Sequence, residues 1–244
     1  MHRSRLRERA ADAENQGGDT DGDDHEATCV RGREAHEGSF VVEPASPTLA
    51  RMDTAETLAR DRPAALELLH EWVRSEALRR HCYAVEAAVR GYARAGGEDE
   101  DAWGNVALLH DFDYERHPTL DRHPQDGAPV LRALGYPEWF IRGVLSHANH
   151  VHEAPRESPL EHTLYACDEL AGFVCACAAV RPEGLATLEP KSVRKKLKQP
   201  SFAAGVNRQD VSDGAAELGV ELDDHIRAVV ASLRPIAAEL GLPG

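Results

Sequence analysis

From residue 53 onward, apolar side chains recur at three- and four-residue spacing, and no apolar–polar alternation of strand length interrupts them. A strand buries one face only if apolar residues fall at every second position, so this chain is expected to be all-α. Punctuation divides the pattern into segments. Pro63 suits a first helical position, and Leu66, Leu69 and Val73 follow on one face. A helix over 77–95 stops at Gly96-Gly97, where glycine tolerates the left-handed conformation of a helix end. The acidic run EDED opens a third helix over 99–110, placing negative charge at the positive end of the helix dipole. A loop carrying His117-Pro118 and His123-Pro124 follows. Further helices are expected over 125–134, 137–148, 158–180, 208–218 and 221–240, with breaks at Gly135-Tyr136-Pro137 and Arg181-Pro182-Glu183-Gly184. A chain of 244 residues without internal repeats builds one full core, so the expectation is a single compact helical bundle.

Residues 1–51 read differently. The stretch DAENQGGDTDGDDHEATCVRGREAHEGS contains almost no large apolar side chains and cannot bury enough surface to offset ordering entropy. The chain has 2 methionines, Met1 and Met52, and the helical pattern begins at Met52 with MDTAETLARDRPAALELL. Residues 1–51 are therefore expected to be a disordered or non-native N-terminal extension, with the folded domain over 52–244. The arginines of MHRSRLRERA have no apolar segment behind them, which argues against a secretory signal. No apolar run reaches the ~20 residues that a membrane span needs.

The 5 cysteines (Cys29, Cys82, Cys167, Cys175, Cys177) are odd in number and form no CxxC pair, as in a reduced, cytoplasmic protein. Cys175 and Cys177 are two positions apart on a helix and diverge by about 200°, so they read as packing residues rather than as a metal pair. A net charge of −14 disfavours nucleic acid and anionic membrane as partners. All the lysines (Lys191, Lys195, Lys196, Lys198) fall in one segment, KSVRKKLKQPSFAAGVNR. In so acidic a chain this segment is a candidate anion-facing loop, with Lys191, Lys195 and Arg208 as candidate ligands of a substrate phosphate; the competing reading is a solvated helix face.

The residues that carry chemistry are an ordered set of metal-type ligands, His81, His110-Asp111, His147 and Asp168, with His123 as a sixth. Singly, each has an ordinary explanation as a core histidine or a helix cap. Together they are harder to explain. His81 shares a helical face with Val85, Ala88 and Tyr92, and His147 shares one with Phe140 and Val144. His110-Asp111 follows the apolar run Val106, Ala107, Leu108, Leu109 at the end of the third helix. Asp168 sits inside TLYACDELAGFVCACAAV with no Lys or Arg within a turn, and Glu169 beside it reads as facing solvent or an edge. Burying unpaired carboxylates is costly, and a metal ion removes that cost. Each ligand on its own helical segment is how a bundle converges side chains on one or two ions.

The order H…HD…H…D resembles the HD superfamily of metal-dependent phosphohydrolases. More narrowly, ALLHDFDYERHP, HPQDGAPVLRALGYP, LSHANH, LYACDELAGF and KSVRKKLKQPSFAAGVNR resemble a largely uncharacterised branch of predicted hydrolases, over about residues 55–242. The resemblance implies that His81, His110, Asp111 and Asp168 hold a first metal. It implies that His123, in the pattern His-x3-Gly-x3-Leu ending at Leu131, and His147 hold a second, with Asp111 bridging; His117, His150 and His152 are competitors. The chain departs from the 5′-deoxynucleotidase branch, because Tyr114 stands where that branch has an acid/base Glu. Asp113 or Glu115, close by, is the candidate proton shuttle. The resemblance thus implies a hydrolase of a small phosphorylated substrate that uses two divalent transition-metal ions, Mn or Fe ahead of Mg, Ni, Co or Zn. Two other readings stand beside it: a mixed-valent di-iron oxygenase of the inositol-oxygenase type, and a non-catalytic bundle stapled by its metal.

Overall fold

The computed structural model describes residues 47–243, with side chains from residue 54 onward. Among these residues every regular element is helical. The order is α1 (Pro47–Arg60), α2 (Arg62–Trp72), α3 (Glu76–Gly96), α4 (Glu100–Leu108), α5 (Gly127–Leu134), α6 (Glu138–Ser146), α7 (Pro159–Ala179), α8 (Pro190–Leu197), α9 (Arg208–Glu217) and α10 (Leu222–Leu233), closed by a 3-10 turn, Arg234–Ile236. Helix α1 begins ahead of Met52, with Pro47 at its first position. The expectation of disorder over residues 1–46 lies outside the described residues, as does Cys29.

Local chemistry sets the helix boundaries. Asp61, Ser75, Asp99 and Asn207 each accept a backbone N–H in the first turn of the helix that follows. Ser158 and Glu161 form a reciprocal capping box at the start of α7. Gly97 ends α3 in the left-handed conformation at φ 76°. The long helices α3 and α7 lie side by side; α4 packs on α3, α9 packs on α7, and α10 lies against both α3 and α7. Leu69, Val85, Val89, Leu108, Phe112, Phe140, Leu164, Phe173 and Val229 are all within the buried core they share. Cys167 and Cys177 are buried free thiols and Cys175 is half-buried against the core, in keeping with a packing role; Cys82 is a further buried free thiol.

Three differences from the expected elements affect the site. The third helix ends at Leu108, so His110-Asp111 lies beyond it in a run of turns. Helix α6 ends at Ser146, and His147 is its C-terminal cap. The lysine segment begins with an unexpected helix, α8, which starts at Pro190.

Candidate metal centre

Four of the six candidate ligands project from turns and helix ends; His81 on α3 and Asp168 on α7 are the other two. The expectation of one helix per ligand is corrected by the chemistry of helix termini. The last carbonyls of a helix have no intrahelical partner. Nδ1 of His110 lies 2.7 Å from the Ala107 carbonyl, and Nδ1 of His147 lies 2.6 Å from the Val144 carbonyl. Each imidazole is thus tied to a carbonyl three residues back. The tie puts the proton on Nδ1 and leaves the Nε2 lone pair free to face inward. His123 is held differently: its Nδ1 lies 2.8 Å from Oδ1 of Asp113, a fully buried carboxylate. Gly127 makes room for this pair, since a Cβ there would come within 3.0 Å of the Asp113 Cγ.

The inward-facing atoms converge on Asp111, whose two oxygens serve different neighbours. Oδ2 lies 3.6 Å from Nε2 of His110 and 3.7 Å from Nε2 of His81. Oδ1 lies 3.1 Å from Nε2 of His123 and 3.5 Å from Nε2 of His147. Asp168 joins the first group, with Oδ1 3.0 Å from Nε2 of His81 and 3.4 Å from Nε2 of His110. His81 and His110 bring their Nε2 atoms to 3.2 Å. Ligand atoms about 2.1 Å from one ion and at right angles to each other lie about 3 Å apart, so both groups have the spacing of a coordination shell. The structure thus brings five of the residues singled out in the sequence into two groups that share Asp111, and Asp168 joins the first through His81 and His110.

Electrostatics also fit a cation. Burial works against charge on Asp111, yet His110, His123 and His147 hold its carboxyl well below the usual range. Burial likewise opposes protonation of His110 and His123, yet the surrounding carboxylates raise each to about 9. Without metal, protons on His110 and His123 supply positive charge beside these carboxylates.

The ligands are not sealed in. His81, Asp111, Asp168, His123 and His147 open onto a cavity of about 430 Å³. Its wall also holds Tyr114 and Glu169, together with four side chains that sequence reading passed over: Asn149, Tyr165, Asn207 and Asp210. Asp210 is its best-supported acceptor, taking bonds from Asn149 Nδ2 (3.1 Å), Tyr165 OH (3.2 Å) and Asn207 Nδ2 (2.7 Å). Arg156 steadies this wall from behind, stacking 3.7 Å over Tyr165 and bonding Asn149 Oδ1 at 3.0 Å. Glu169 lines the cavity rather than facing open solvent, and burial together with Asp168 lifts it to about 7. Tyr114, Asn149, Tyr165 and Glu169 each stand within three residues of a ligand in the sequence, whereas Asn207 and Asp210 come from α9 and its cap, far along the chain.

The remaining candidates lie elsewhere. Asp113 is buried behind His123 and does not line the cavity, and Glu115 accepts the backbone N–H groups of Arg74 and Ser75 at 2.9 Å each, capping α3. Neither is placed to shuttle a proton. Lys191 is exposed on α8, and Lys195 lines a different cavity. The Arg208 guanidinium is taken up by the carbonyls of Ala203 (2.9 Å), Val206 (2.6 Å) and Phe202, where it closes the turn before α9. Among the described residues no Lys or Arg lines the metal cavity. Of the competing histidines, His150 does line the metal cavity, but its Nε2 bonds the His123 carbonyl at 2.8 Å; His117 lies against Trp72, and His152 faces a neighbouring cleft.

A family model described as HD domain matches residues 78–172. The chain carries an HD domain. This is the domain of the HD metal-dependent phosphohydrolase superfamily, and the matched span contains all six converging side chains. Searches of the curated proteins and of the solved structures found no match. The HD domain supplies the ligands, while α9, outside the matched span, supplies Asp210. Among the described residues no helix is long and apolar enough to cross a membrane.

Proposed function

We propose that this HD domain is a divalent-metal-dependent hydrolase that holds two transition-metal ions, Mn or Fe, and cleaves a small phosphate ester. The observation that carries this reading is the division of Asp111, with one oxygen toward His81 and His110 and the other toward His123 and His147. His81, His110, Asp111 and Asp168 would hold one ion; Asp111, His123 and His147 would hold the other. Two ions there would lower the pKa of a shared water and take up charge on the phosphoryl oxygens. The chain's own residues do the rest. Asp113 keeps the His123 ring oriented and basic. Asp210, Asn149 and Tyr165 offer hydrogen bonds to the organic part of the substrate. Because no Lys or Arg among the described residues lines the cavity, the phosphoryl charge has to be met by the ions, which makes turnover depend on both.

Elemental analysis after Mn²⁺ or Fe²⁺ reconstitution, paired with a phosphate-release screen over small esters, tests this. Two ions per chain are expected for the native sequence, none for Asp111→Ala and one for His123→Ala. Fewer than two ions in the native protein would remove the two-ion reading.

One observation favours a second reading. A cavity walled by Asp210, Glu169, Asn149 and Asn207, with no Lys or Arg among the described residues, also suits an uncharged polyhydroxy substrate, and a set of four imidazoles and two carboxylates suits iron. O₂ uptake by the Fe-loaded protein, with no phosphate released from any ester, would move the assignment to a di-iron oxygenase.

A further inference from the structure

The lysine segment forms a cavity of its own. Between the end of α7 and the face of α8 lies a space of about 280 Å³. Three cations line it, Arg181, Lys195 and Lys196, together with the hydroxyl of Ser192, the amide of Gln199 and the thiol of Cys177. Among the described residues no carboxylate lines it. Arg194, on the same helix, is paired with Asp223 at 3.1 Å, but Lys195 and Lys196 make no ion pair among the described residues. Lys196 instead lies 4.3 Å over the ring of Phe202.

Basic residues in the last turn of a helix are ordinary, because they complement its dipole, and that accounts for Lys195 and Lys196 taken alone. It does not account for Arg181, which comes from a separate segment. Arg181 spends Nη2 on the carbonyl and hydroxyl of Thr187, at 3.1 and 2.8 Å. Its Nε is buried and has no hydrogen-bond partner. Burial raises the Cys177 thiol to about 11, while the charges of Lys196 and Arg181 act in the opposite direction, so both cations are felt at the cavity wall. Gathering like charges around one concave space costs energy unless an anion enters it, and in a chain of net charge −14 the local positive sign stands out.

We infer that this cavity is a second ligand site, built for a small phosphate-type anion carrying two or more negative charges. The anion would accept from Arg181, Lys195, Lys196 and Ser192. A volume of about 280 Å³ is at the lower end for ligand pockets, so the ligand is a phosphate or diphosphate with little attached to it. The site shares no lining residue with the metal cavity. Along α7, Cys177 lies roughly two and a half turns beyond Asp168, about 13 Å of helix rise.

With lysines at only four positions, the chain suits a direct test. Reductive methylation with ¹³C-formaldehyde keeps each charge and gives one resolvable signal per lysine, assigned with single Lys→Arg variants. Titrating the metal-free full chain with inorganic phosphate, and separately with pyrophosphate, should shift the Lys195 and Lys196 signals saturably and leave those of Lys191 and Lys198 nearly still. Calorimetry on unmodified protein should show the same binding weakening as ionic strength rises. Affinity should fall at least tenfold in a Lys195→Gln, Lys196→Gln double variant and persist in Asp111→Ala, which dismantles the metal centre. Equal small shifts at all four lysines, which report screening alone, would overturn the proposal. So would native affinity in the double variant, loss of binding in Asp111→Ala, or no response to either anion.

Discussion

His110 and His147 use the same device from different helices. Each follows the last turn of an α-helix, gives its Nδ1–H to the carbonyl three residues back, and aims Nε2 at Asp111. His123 lacks such a carbonyl and relies on Asp113 instead. The second ion should therefore be the one sensitive to Asp113. Substituting an outer partner of a metal-bound histidine typically weakens metal binding 10- to 100-fold. Asp113→Ala is expected to lower affinity for one ion by about that factor and leave the other near native, as read by metal titration. Equal loss of both ions would mean that Asp113 supports the whole turn rather than the His123 ring alone.

At the scale of elements, α3, α7 and α10 are tied together by one buried imidazole. His225 on α10 meets the Tyr92 hydroxyl of α3 at 2.6 Å through Nδ1 and the Ala166 carbonyl of α7 at 2.9 Å through Nε2. Burial, partly offset by the bond to Ala166, lowers its pKa below the ordinary 6.5. A lowered folded-state value means that the stabilisation is fully present above the unfolded pKa of about 6.5 and is lost as pH falls from there through the folded value. Without metal, His110 and His123, raised to about 9, stabilise the fold as pH falls toward 6.5, so the His225 effect is read as a difference. Measured with chelator between pH 7.5 and pH 5, urea midpoints should shift toward lower stability in the native protein relative to His225→Gln, and the substitution should cost about 1–3 kcal/mol at pH 7.5, because it weakens two buried hydrogen bonds. The other histidines titrate in both proteins, so the difference between the two slopes isolates this residue. Parallel slopes would exclude His225 as the titrating group.

Over the whole molecule, the centre draws on α3, α7 and the segments that follow α4 and α6, so a bound ion would link elements distant in sequence. An ion that binds the folded chain alone stabilises it by about 2.7 kcal/mol at one hundred times its dissociation constant. Chelation should therefore lower the melting temperature of protein reconstituted with Mn²⁺, and Asp111→Ala should melt at one temperature with or without chelator. An unchanged native melting temperature would show that the centre does not take up metal in the folded state.

Periodicity and punctuation were enough to determine the helical class, the stop at Gly97 and most element positions, because burial of one helical face and the φ limits of glycine and proline act over a few residues. The ligand set was legible for a related reason: imidazoles and carboxylates among Val106, Leu108, Val144 and Leu164 have few other reasons to be there. Even so, sequence proximity misled where geometry acts over short distances. Asp113 and Glu115 stand beside the HD pair in the chain, yet one turns behind His123 and the other caps α3. Lys195 and Arg208 share a basic segment, yet α8 takes the first to its own cavity and the turn before α9 consumes the second. Only the packing of α9 against α7 brings Asp210 to the metal cavity, and only the return of the chain after α7 brings Arg181 to Lys195. Those are contacts between segments far apart in the chain, and no local pattern of residues encodes them.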